Sequence, residues 1–300
     1  MRSVRSIHNA IACVMDASAT VVSTITSTNS DMKYALKLPT SLSQAQPLFM
    51  RVHPDGDQHV SAQIREQGTW EAYESELMCR ILSPGDCVVD VGANIGYYSV
   101  LAAAAIGHEG HVFAFEPEPA NFALLENNIA LNGIETATAI NAGLAAENSA
   151  STLFLSETNW GDHQIYSRGE CRKSIPIELL KGDDFFKDKI SRFDLIKIDT
   201  QGAEFQVLSG LEATLRASLP NVHIMIEFWP FGLKKAGDHG HQLLDLLASL
   251  NLPFWTIDHI GRTLHPCQES ELRDWVDALD ANPSDEGFFN LLLSTQEFEL

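Results

Sequence analysis

No stretch of this chain approaches the roughly 18 uninterrupted apolar residues that a membrane-crossing helix needs, so no integral membrane segment is expected. The first residues, Met1 to Met15, carry two arginines and a short apolar run, but Asp16 interrupts before a hydrophobic core develops. They make a weak leader, and the chain reads as cytoplasmic. Positive charge is scarce: 20 Lys and Arg stand against 40 Asp and Glu, a formal net charge of −20. Such a surface repels phosphate backbones and anionic headgroups, which weighs against nucleic acid and bare membrane as partners. The cysteines Cys13, Cys79, Cys87, Cys171 and Cys267 are scattered, with no Cys-x-x-Cys pair and no histidine at zinc-finger spacing. Reduced thiols in a reducing compartment and no structural metal are therefore expected. Internal repeats and low-complexity tracts are absent as well.

What remains is a rhythm of strands and helices. After a Ser/Thr-rich first 30 residues, Pro39, Pro47 and Pro54-Asp55-Gly56 break residues 37–67 into short segments of strand or loop. Residues 1–66 are read as an N-terminal extension and 67–300 as the main domain. Trp70, Tyr73, Leu77 and Ile81 recur at helical spacing up to Pro84-Gly85-Asp86. Apolar strand-like runs follow at 87–91, 111–115, 136–140, 193–198, 222–228, 254–257 and 288–293. Helical patterns fall at 95–106, 117–131, 205–215 and 241–250, and 151–184 reads as short strands and loops. Strands alternating with helices predict an α/β, Rossmann-like fold: a mostly parallel, seven-stranded sheet with helices on both faces. Ligands of such sheets bind beyond the carboxyl ends of the strands.

The strand ends carry the chemistry. The first closes on Val89-Asp90-Val91-Gly92-Ala93-Asn94-Ile95-Gly96. Gly92 and Gly96 allow a tight turn and close backbone approach to a ligand, with a helix N-terminus behind. The third glycine of G-x-G-x-x-G is missing, so no pyrophosphate cradle is implied. Asp90, two residues before Gly92, suits a cationic ligand with an amino acid portion, such as S-adenosylmethionine (SAM). Glu116 ends the second strand 20 residues after Gly96 (116 − 96), where an acid can grip two ribose hydroxyls. Asn141 and Ala142, after the third strand, are placed to reach an adenine edge. Asp199 ends the fourth strand and opens Asp199-Thr200-Gln201-Gly202-Ala203-Glu204. Enzymes that methylate base amines carry an Asn or Asp before two prolines and an aromatic residue here, and this chain does not. Glu204, in the first turn of the next helix, serves equally well as a partner of the helix dipole.

Together, residues 90–99, Phe115-Glu116-Pro117 and residues 197–204 resemble the FkbM family of SAM-dependent methyltransferases. Gly68-Thr69-Trp70-Glu71 and Pro84-Gly85-Asp86 look like that family's lead-in, and the likeness runs from about Gln67 to Leu293. It implies transfer of the SAM methyl group to a hydroxyl of a sugar, glycolipid or polyketide. Gly92, Asn94 and Gly96 would then line the methionine end of the cofactor and Glu116 its ribose. Gln201 stands where relatives often have Glu, which removes a charge. A hydroxyl is a poor nucleophile, so a general base is sought among Asp199, His163 and Glu227. A Mg²⁺ ion held by Asp199 and a neighbouring acid is the metal-assisted alternative to a metal-free site. The competing functions are a SAM-binding module without catalysis and an NAD-dependent oxidoreductase or epimerase, which lacks its glycine spacing and any Tyr-x-x-x-Lys pair here. The acceptor wall is expected in the loops at 160–172 and 228–240, including Trp229 and Phe231.

Overall fold

In a computed structural model, the structure describes residues 32–167, 172–282, 284–296 and 298. The Ser/Thr-rich arm, the Met1–Met15 segment, Cys13 and Cys171 lie outside them. Thirteen strands and ten α-helices follow one another among the described residues. The central strands are β3 (Cys87–Val91), β4 (His111–Phe115), β5 (Ala137–Ile140), β9 (Leu195–Ile198), β10 (His223–Phe228), β11 (Phe254–Asp258), β12 (Thr263–Cys267) and β13 (Phe289–Leu293). They form one sheet in the order β12-β11-β13-β10-β9-β3-β4-β5. The five from β5 to β10 run parallel, and β13 lies antiparallel between β10 and β11. The expected sheet of seven thus has eight strands, because the hairpin partner β12 extends its edge. From β3 the chain winds outward through β4 to β5 and later returns to place β9 on the other side of β3. The junction of β3 and β9 is therefore the switch point at which a crevice opens.

The central strands are apolar on both faces because helices cover both. Val89, Phe115, Ile196, Ile198, Ile226 and Phe228 face one core, closed by α6 (Glu204–Gly210), α7 (Glu212–Ser218), α8 (Pro230–Ala236), α9 (Gly240–Ala248) and α10 (Glu269–Ala281). The helix read over 205–215 is two helices, α6 and α7, meeting at Leu211. Val88, Val112, Leu195, Met225 and Leu292 face the opposite core, closed by α1 (Val60–Gln67), α2 (Ala72–Ile81) and α3 (Tyr97–Ile106). Helix α1 corrects the reading of residues 37–67 as strand or loop: Val60 and Ile64 bury one face, and Gly68 ends it in the left-handed region. Between Ile257 and Phe288 the sequence reading assigned nothing, yet β12 and α10 lie there. The signals were a capping box from Gln268 to Glu271 and the buried Leu272, Val276 and Leu279 one turn apart.

Among the described residues no helix is long and apolar enough to cross a membrane. The segment of 151–184 supplies β8 (Ser174–Lys181) and most of β7 (Ser149–Phe154), which join β6 (Gly143–Ala145) in a second sheet of order β6-β8-β7. Residues 34–67 are tied down by side-chain amides of α4 (Pro119–Leu131) and its cap. Asn128 accepts from the Arg51 amide at 2.7 Å and donates to the carbonyls of Arg51 and Ile95 at 2.9 and 2.8 Å. Its side chain is fully buried, so truncation leaves three backbone groups without partners. Asn128→Ala is expected to lower the unfolding free energy by roughly 1–3 kcal/mol, chiefly for the buried Ile95 carbonyl left unmatched, since the two Arg51 groups are only part-buried. Urea unfolding followed by circular dichroism measures it.

Candidate active site

At the switch point two backbones almost touch. Gly92 holds φ at 80°, and a Cβ there would lie 2.0 Å from the Asp199 carbonyl oxygen. Only glycine fits, and its smallness brings the turn after β3 against the end of β9. Asn94, itself at φ 51°, steers the turn: its amide oxygen accepts from the Ile95 N–H at 2.6 Å and its Nδ2 donates to the Trp160 carbonyl at 3.3 Å. The Asn94 N–H donates to Glu116 Oε2, and the Glu118 N–H to Glu116 Oε1, both at 2.8 Å. Glu116 is thereby fixed at the end of β4, only 5% exposed. Burial pushes its carboxyl up to about 8 against the pull of those two N–H bonds.

These residues edge an open cleft whose empty space, counted together with open solvent, is about 610 Å³. Gly92, Asn94, Glu116 and Asp199 lie along its polar side. Leu144, Leu153, Ile177 and Leu179, from the loop ends and strands of the small sheet, make an apolar wall, and Trp160 and Gly161 close one end. Asn121 of α4 donates to the Trp160 carbonyl at 3.0 Å, so two amides hold that loop by one oxygen. Sequence reasoning missed the apolar wall. Its trace was the alternation of Ile175, Ile177 and Leu179 in a segment read only as strand or loop.

Four residues expected at the cofactor are placed elsewhere. Gly96 turns its α-carbon toward α4, where a Cβ would meet Leu125 at 2.6 Å; it is a packing glycine and does not line the cleft. Asp90 points through the sheet to the opposite side, 2% exposed, accepting from the Ser99 hydroxyl at 2.6 Å. Burial raises its carboxyl, with Lys197 as the nearest compensating charge. Asn141 donates to the carbonyls of Glu116 and Pro117 at 2.9 and 3.2 Å, buttressing that corner from outside, and the cleft reaches Gly143 and Leu144, not Asn141 or Ala142.

The segment after β9 is held by its own acids. Glu204 is fully buried, and its carboxylate accepts from the N–H of Thr200 and Gly202 and from the Thr200 hydroxyl at 2.9–3.2 Å. It fixes the turn rather than merely facing the helix dipole; burial raises it to about 7. Gln201 Nε2 donates to Asp199 Oδ1 at 2.7 Å and to Glu227 Oε2 at 2.9 Å. A glutamate there would crowd three carboxylates; the amide joins two. Burial first, then the charge of Asp199, raises Glu227 well above the usual carboxylate range. Lys197, buried beneath, lies 3.4 Å from Asp199 Oδ2 and 4.4 Å above the Tyr98 ring. Burial alone would lower it, but Asp199, Glu74, Glu71 and Asp90 around it hold it above the usual lysine value. His163 lines the cleft, yet its Nδ1 accepts from the Ser156 N–H at 3.0 Å. Burial and the Arg172 charge hold it down to about 4, so it is a neutral and weak proton acceptor.

Residues 90–252 match the Methyltransferase FkbM domain. The chain is 24% identical over 145 residues to Methyltransferase 1 of Beauveria bassiana, covering 42% of this chain and 58% of that one. It is 28% identical over 135 residues to the hexuronic acid methyltransferase AglP of Haloferax volcanii, covering 44% and 52%. The chain thus spans little more than half the length of these two relatives. A methyltransferase FkbM structure from Methylobacillus flagellatus superposes with a TM-score of 0.40 at 15% identity, over 71% of this chain and 44% of that one. The domain match runs from Asp90 on β3 through Leu252 and takes in the turn, the Glu116 corner and the Asp199 segment, and with it the chain belongs to the FkbM family of SAM-dependent methyltransferases.

Proposed function

We propose that this chain is a SAM-dependent O-methyltransferase acting on a hydroxyl of a sugar, glycolipid or polyketide-type small molecule. The observation that carries the reading is Glu116: a carboxylate locked at the cleft edge by two backbone N–H groups, with Asn121 beside it. A carboxylate offers about four acceptor sites, and those turned to the cleft fit the hydroxyls of a ribose. The apolar wall suits the flat face of an adenine. The relative that methylates hexuronic acid supports a sugar-type acceptor. Cys79, Cys87 and Cys267 are free thiols, which supports a reducing, cytoplasmic setting.

SAM, when bound, supplies an electrophilic methyl on a sulfonium. The residues must hold an acceptor oxygen in line with it in a site shielded from water. Asp199, at the cleft and one-third exposed, is the group assigned to take the hydroxyl proton as the oxygen–carbon bond forms and the sulfur–carbon bond breaks. Lys197 and Gln201 hold its two oxygens in place. Glu227, joined to Asp199 through Gln201, is assigned to position the acceptor rather than to accept the proton.

Calorimetric titration of the chain with SAM is expected to show micromolar binding that collapses in Glu116→Ala. Because Glu116 must be ionised to accept both hydroxyls and titrates at about 8, affinity is expected to rise roughly tenfold between pH 7 and pH 9 as the carboxylate fraction grows. The variant is expected to lack this component. No binding by the wild-type chain would remove the cofactor assignment. In a methyl-transfer assay, Asp199→Asn is expected to lower turnover by about 10²- to 10⁴-fold with SAM affinity nearly intact. Turnover at the wild-type level would end the role of Asp199 as base.

A further inference from the structure

Behind Asp199, on the side of the sheet away from the apolar wall, a second polar group converges from three parts of the chain. Glu71 and Glu74 open α2, His259 follows β11, and Asn290 sits on β13 between the two. Register explains the meeting: Asn290 pairs with Ile257 on one neighbouring strand and with Glu227 on the other. One ligating atom from each of Glu71, Glu74 and His259 lies within 4.8 Å of the others. The Asn290 amide reaches Glu74 Oε2 at 2.7 Å and His259 Nε2 at 2.9 Å, yet its Oδ1 is buried with no partner, on a residue only 9% exposed.

We propose that Glu71, Glu74, His259 and Asn290 form a divalent-cation site. Two carboxylates, an imidazole and an amide oxygen are a donor set for a hard or borderline ion such as Mn²⁺. Turning the Asn290 amide over places its orphaned oxygen 2.7–2.9 Å from the Glu74 and His259 ligand atoms. That is about the edge of an octahedron with metal–oxygen bonds of roughly 2.0–2.1 Å. The exchange pairs the oxygen with the ion and gives up the two bonds that Nδ2 makes to Glu74 and His259. Charge argues the same way. Lys197 is the ammonium that Asp90, Asp199, Glu71 and Glu74 face, and one cation cannot balance even the two that are buried, Asp90 and Glu74, together with Asp199. An entry path exists, because the His259 side chain is 32% exposed while Glu74 is buried at 4%. Glu71 also lies within electrostatic reach of Asp199 and Lys197, so the ion would stand behind the end of β9, away from the apolar wall. The site is independent of the methyl-transfer reading.

The test is Mn²⁺ binding by the full chain, followed by loss of the aquo-Mn²⁺ electron paramagnetic resonance signal. One saturable site per chain is expected, weakened at least tenfold in Glu74→Gln and in His259→Ala and unchanged in Asp277→Asn, an exposed acid on α10. If Glu74→Gln does not fold, the partly exposed His259→Ala decides. No saturable site, or one that survives in His259→Ala, would overturn the proposal and leave only surface carboxylates binding loosely. SAM titration of the same samples keeps the two readings apart: Mn²⁺ binding without SAM binding ends the methyltransferase proposal alone, and the reverse ends this one alone.

Discussion

The contact between Gly92 and the Asp199 carbonyl is the constraint on which the rest of the site depends. A parallel sheet brings the ends of β3 and β9 side by side, but a side chain at residue 92 would wedge them apart. With hydrogen in its place, the turn after β3 tightens and the Asn94 N–H reaches Glu116. The residues assigned to the cofactor and the residue assigned to the proton then share one short stretch of backbone geometry. Their relative position is fixed by strands, which are stiffer than loops.

A second theme is the concentration of ionisable groups at the carboxyl ends of the strands. Such burial does not stabilise the fold, since desolvation commonly exceeds the Coulombic return. The molecule tolerates it through specific ties: Ser99 to Asp90, Tyr98 to Glu71, Gln201 between Asp199 and Glu227, and the Thr200–Gly202 turn around Glu204. Perturbed acids gathered in one place are a mark of chemistry. At the opposite end of the sheet Asp86, Cys87, His111 and His223 are shifted too, chiefly by burial, and Asp194 accepts from the Cys87 N–H.

Much of this was legible in the sequence. The strands at 87–91, 111–115 and 289–293 are apolar runs of the right length, and the Gly92 turn, Glu116 and Asp199 declare themselves because strand-end motifs are local. Where the structure sets a site residue apart from the cleft, its placement depends on contacts distant in sequence. Gly96 is indistinguishable from a ligand-binding glycine until Leu125 is seen beside it. Asp90 follows the alternation of its strand to the far face, and a period of two shows that a side is chosen but not which side holds the ligand. Glu74, His259 and Asn290 carry no motif at all, since a helix start, a loop and an edge-ward strand bring them together.

That last group has a bearing on how the molecule forms. Glu74 and Asn290 are bonded across 216 positions of chain, so β13 must slot between β10 and β11 before the polar pocket exists. Closing so long a loop costs entropy that rises only with the logarithm of its length, but nothing offsets it until the final strand docks. A growing chain on the ribosome therefore holds the α2 acids open to water until the residues of β13 have emerged. Charge is enclosed only when the last strand closes the sheet, and the carboxylates act as solubilising groups during the interval in which the apolar strands are most exposed.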